Sequence, residues 1–192
     1  MHVFCRISSH GVAYHRAVIH ASGMRALRPP ELRARKLLYA KWDGVLPVPV
    51  DRIAPMITRT PVEYVDRDEI GGADGEARVE MMDDRPTGFI RVANDMHIHR
   101  KRFTIAHELG HLALGHARLG EEYKRRDWLS SLGVDEEERD ANLFAAEFLM
   151  PAQFVEKAFY HDEIKDIAEL ARLFFVSEVA MLNRLQSLGL LP

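Results

Sequence analysis

The stretch Arg102-Phe103-Thr104-Ile105-Ala106-His107-Glu108-Leu109-Gly110-His111 decides how the chain is read. Apolar residues recur in it at helical spacing, so it predicts a helix over His99–Leu114. Residues four apart on a helix lie on one face about 6 Å along the axis. His107 and His111 therefore point the same way and are placed to share one metal ion. Glu108 sits about 100° around from His107, where a carboxylate reaches a water at that metal. Zinc is the expected ion, because imidazole suits it and because it makes water acidic enough to attack a peptide carbonyl. Ile105, Leu109, Leu112 and Ala113 fall on the opposite face and are expected to anchor the helix in the core.

A short motif matches by chance often enough that a third ligand is needed. His116 lies about 180° from His107 if the helix continues, and so faces away. A second helix is expected over Asp135–Met150, with Ala141, Ala145, Phe148 and Leu149 marking its inward arc. Glu138 and Asn142 fall inside that arc and Glu137 at its margin, whereas Glu136, Asp140 and Glu147 lie opposite and read as solvated charges. Glu138 is the preferred third ligand, with the Asn142 amide placed to hydrogen-bond a metal-bound histidine.

Working outward, Glu31–Trp42 reads as a basic amphipathic helix, and Asp51 as the cap of a short helix ending at Ile57. Three short strands follow, over Val62–Val65, Ala77–Met82 and Gly88–Val92, separated by turn signals at Gly71-Gly72, Asp74-Gly75 and Arg85-Pro86. After Asn94 the pattern is helical, with further helices after Pro151, over Ile164–Phe174 and over Glu178–Leu188. Strands first and helices after predict an α+β domain, a small antiparallel sheet of about three strands packed on helices. A length of 192 residues suits one domain, assigned to residues 24–192. Residues 1–23 carry His2, His10, His15 and His20 among arginines, with little periodicity. They read as a disordered tail or as translated sequence upstream of a start at Met24.

The net charge of −3 argues against a general nucleic-acid binder, and no apolar run is long enough for a membrane span. One cysteine, Cys5, fits a reducing cytoplasm. The pair of helices over about 164–189 has helix-turn-helix spacing, with Ser177 as cap and Gly189 as stop. Its second helix offers only Asn183, Arg184 and Gln186 to a groove, with Glu178 opposing phosphate, so a packed helix pair is favoured over DNA binding.

Two blocks together carry a resemblance. Arg102–His111, followed by Glu138-x-x-x-Asn142-x-Phe144-Ala145-Ala146-x-x-Leu149-Met150-Pro151, resembles the ImmA/IrrE family of metallo-endopeptidases, and a looser likeness runs from about Leu37 to Pro192. Val50-Asp51-x-Ile53-Ala54 and the Gly88–Asn94 strand are similar to that family's entry to its catalytic helix. The resemblance implies a gluzincin-like zinc site, with His107, His111 and Glu138 as ligands and Glu108 as base. It also implies a substrate: a helix-turn-helix repressor of the XRE type, cut in a stress, phage or mobile-element response. The oxyanion donor stays open among His116, Tyr123, Tyr160 and His161. A substrate strand adding to the Gly88–Val92 edge is a further expectation. The rival readings are a non-catalytic, metal-containing regulator that binds such a repressor, and a DNA-binding protein.

Overall fold

In the computed structural model, residues 26–119, 122–124 and 136–192 are described. The tail expected over residues 1–23 and the start of the second helix at Asp135 lie outside them, and of Tyr123 only the backbone is described.

The architecture is α+β, with a small sheet early and a helical carboxyl-terminal half. Helices α1 (Pro29–Lys41) and α2 (Val50–Thr58) precede strands β1 (Val62–Val65), β2 (Gly75–Met82) and β3 (Arg85–Ala93). Helix α3 (Ile98–Leu114), a short strand β4 (Glu122–Lys124) and helix α4 (Glu136–Leu149) follow. Helices α5 (Ala152–Glu156), α6 (Ile167–Phe174) and α7 (Glu178–Ser187) complete the chain, and a π-helical turn at Lys157–His161 continues α5.

The sheet order is β1-β3-β2-β4. β2 pairs antiparallel with β3 and β4, but β1 runs parallel to β3, so the sheet is mixed rather than purely antiparallel. Arg85-Pro86 is not a turn. The β2–β3 hairpin turns at Asp83 (φ 48°) and Asp84 (φ 59°), the left-handed backbone that a two-residue hairpin loop requires. Pro86 is tolerated inside β3 because β1 reaches only Ile90–Ala93, leaving the Pro86 end of that side unpaired by β1. β3 is therefore held on both sides where a substrate strand was expected. Val62 is in register with Ile90, Thr60 Oγ1 donates to the Gly88 carbonyl at 2.7 Å, and β2 covers the other side.

The core lies between the sheet and the helices, with Ile53, Ile90, Ile105, Leu109, Phe144, Phe148, Phe174, Met181 and Leu185 all nearly or fully buried. Three details depart from the sequence reading. Asp51 does not cap α2, whose cap position is Pro49 with no side-chain bond. α1 buries Glu31, Ala34 and Leu38, while Tyr39 is exposed. Glu147 is not a solvated charge: it is 0 % exposed, because α4 is flanked by α1 as well as by α3. Its carboxylate is bonded by Arg35 at 2.8 Å and by the buried Arg184 of α7, and it accepts from the Ala152 amide at 3.3 Å. Arg184 also donates to the Met150 carbonyl and lies 3.5 Å from the buried Glu31. The one arginine offered to a DNA groove is thus an internal tie, which removes the main cation from that rival. Ser177 does cap α7, accepting from Ala180, and Gly189 has φ 69° just past its end.

Candidate metal centre

α3 is the central helix, and every residue from Thr104 to His111 is buried. Its placement is fixed at the amino-terminal end by Arg102, which donates to the Val48 carbonyl at 2.8 Å and to the Phe175 carbonyl at 3.0 Å. Gly110, between the two histidines of the motif, lets α4 approach. A Cβ there would lie 3.1 Å from Phe144 Cδ1 and 3.3 Å from the Ala141 backbone. The glycine inside the motif thereby sets the separation of the two helices that carry the centre.

His107, His111 and Glu138 converge, with one candidate ligand atom from each lying within 4.8 Å of the others. The two Nε2 atoms are 2.9 Å apart, and the Glu138 oxygens lie 3.3 Å from His107 Nε2 and 3.4 Å from His111 Nε2. Bonds of 2.0–2.1 Å in a tetrahedron put neighbouring ligand atoms about 3.4 Å apart. The two histidine–carboxylate separations match that edge, and the histidine pair is slightly tighter. Two imidazoles and one carboxylate also form the donor set that suits zinc. The residues present therefore fit the ion.

The protonation states favour ligation. Burial, with neighbouring His107 and His116, lowers His111 to about 4 against the pull of Glu138, so its ring is neutral at pH 7. Burial opposes ionisation of Glu138, but hydrogen bonds from His107 and His111 outweigh it and hold its carboxyl well below the usual range. Glu138 also lies in the first turn of α4, where the helix dipole favours negative charge.

With both Nε2 atoms inward, each ring is held from outside through Nδ1. His107 Nδ1 is 3.1 Å from Asn142 Oδ1. His111 Nδ1 is 3.0 Å from His116 Nδ1, so His116 does not face away. The extrapolated wheel fails because α3 stops: Gly115 adopts φ 80° and the His116 amide turns back to the His111 carbonyl. The signal was present, since a glycine just past a periodic run is a helix stop. Glu108 is 1 % exposed, with its carboxylate tucked against Gly75 of β2. Tyr160 and His161 are exposed on the π-helical turn.

The model of the IrrE N-terminal-like domain, a peptidase family, matches residues 69–186. The chain belongs to that family. The match to the IrrE-like domain spans β2, β3, the whole of α3 and α4, and nearly all of α7, so both helices of the centre lie inside it. Among solved structures, the IrrE-like chain is similar to a Mycobacterium tuberculosis transcriptional regulator, with 22% identity and a TM-score of 0.53 over 81% of this chain. That likeness concerns the fold, and the chain spans 46% of the regulator's length. No curated protein matches the chain. Among the described residues, no helix is long and apolar enough to cross a membrane.

Proposed function

We propose that this IrrE-like chain is a zinc-dependent endopeptidase that cuts a helix-turn-helix repressor. The observation that carries the enzymatic reading is the convergence of two imidazole Nε2 atoms and one carboxylate at the spacing of a zinc coordination shell. His107, His111 and Glu138 would hold the ion. When bound, zinc supplies Lewis acidity to the scissile carbonyl and makes water a nucleophile near neutral pH. Glu108 takes the proton from the attacking water and returns it to the leaving amine nitrogen. Its burial excludes bulk water from that transfer, and Asn142 and His116 hold the two rings against rotation. The repressor as substrate is supported by the resemblance of the two motif blocks, and the cytoplasm by the single cysteine.

Co-expression with the helix-turn-helix repressor encoded nearest to this chain's gene tests the reading. Wild type is expected to yield two repressor fragments. Glu108→Gln is expected to retain zinc and cut at least about 10²-fold more slowly. Equal cleavage by both proteins would remove Glu108 from its role. An intact repressor under every inducing condition would favour the non-catalytic regulator. Replacing His116 by alanine removes the partner of His111 Nδ1, and zinc affinity in a chelator competition is expected to fall about 10–100-fold.

A further inference from the structure

We propose that Gly75 is a positioning residue, its missing side chain being the space in which the Glu108 carboxylate is held. The proposal rests on Glu108 acting as the base described above. Gly75 is not among the glycines with positive φ, so its backbone does not require glycine. Space does. A Cβ at this position would lie 2.4 Å from Thr104 Cγ2, 2.8 Å from Glu108 Oε1 and 3.0 Å from Glu108 Cγ. Heavy atoms at rest sit about 3.5–4.0 Å apart.

Thr104 and Glu108 are one turn apart on the same face of α3, and both are buried. The first residue of β2 therefore lies directly on the face that carries the base. Its neighbours hold it there. Asp74 is bonded to Arg100 in the first turn of α3 at 2.7 Å and to Arg67 at 2.6 Å. Glu76, 1 % exposed, is paired with Arg91 of β3 at 3.2 Å, and Gly75 is itself in register with Val92. The strand is pinned to α3 on one side of Gly75 and to β3 on the other, so it has no easy retreat. A side chain added at position 75 is relieved only by moving Thr104 or Glu108. Proton transfer needs its donor and acceptor within hydrogen-bond reach, and a misplacement of about 1 Å costs on the order of 10²-fold in rate.

The two contacts separate in a pair of variants. Gly75→Ala meets both Thr104 and Glu108 and is expected to melt at a lower temperature than wild type. Gly75→Ala with Thr104→Ser removes the closest contact, the Thr104 methyl, and is expected to recover most of that loss. The contact with Glu108 remains. In a crystal structure of this double variant the Glu108 carboxylate is expected to shift by about 0.5 Å or more, with zinc content unchanged. Against the purified helix-turn-helix repressor encoded nearest to this chain's gene, kcat is expected to fall about 10²-fold at constant KM. A double variant with its Glu108 carboxylate in the wild-type position overturns the proposal, and so does a shifted carboxylate with wild-type kcat. If wild type and Glu108→Gln alike cleave nothing, the peptidase reading is what fails. The carboxylate position then still decides whether Gly75 sets it.

Discussion

Replacing Arg184 by alanine is expected to destabilise the protein by about 3–5 kcal/mol, read from urea unfolding. The side chain is 2 % exposed and its guanidinium faces the Glu31 and Glu147 carboxylates, both 0 % exposed. A buried ion pair need not add much net stability, because desolvation offsets the attraction. Removing one partner is a different operation, since it strands charge already taken out of water. Arg35 remains for Glu147 and Arg28 for Glu31, but both arginines are partly exposed and neither replaces the bond to the Met150 carbonyl. Arg184→Lys is expected to recover only part of the loss, because an ammonium lacks the planar fork that serves these separated acceptors. A loss below about 1 kcal/mol, the range of surface pairs, would show that the outer arginines suffice.

Glu138→Ala is expected to lower zinc affinity by about 10²- to 10³-fold while the fold persists. Apparent binding energies of four-ligand zinc sites run about 10–16 kcal/mol, so an even share per ligand is roughly 2.5–4 kcal/mol. Glu138 lies in the first turn of α4 with its side chain 26% exposed, and the inward face of the rest of that helix stays buried without it. Chelator competition measures the affinity, and far-UV circular dichroism reads the fold. Unchanged affinity would exclude Glu138 as a ligand.

Much of this architecture is legible in the sequence wherever one periodicity governs. α3 shows its apolar spacing, and the arc marked by Ala141, Ala145, Phe148 and Leu149 is buried, with Glu138 brought to the two histidines beside it. The α+β class follows from strands preceding helices. What escapes the sequence depends on partners that a wheel does not contain. Glu147 looks solvated when α4 is given one inward face, but a helix flanked on two sides has two. His116 looks averted only while α3 is extrapolated through Gly115. Arg85-Pro86 has the chemistry of a turn, yet Asp83-Asp84 make it, since aspartate tolerates left-handed backbone. The direction of β1 against β3 is set by long-range pairing and leaves no local trace in either strand.

The split of the centre between an interior helix and the opening turn of another decides what metal starvation does to the protein. His107 and His111 sit on a helix whose burial and Arg102 bonds involve no metal, and the far end of α4 is tied by Glu147 to α1 and α7. Removing a bound ion is expected to free the first turn of α4 and to leave the rest of both helices in place. On the proposed zinc reading, the apoprotein is therefore expected to stay folded and to take the ion up again, so that metal supply would act on it as a reversible switch; far-UV circular dichroism before and after chelation and reloading checks this.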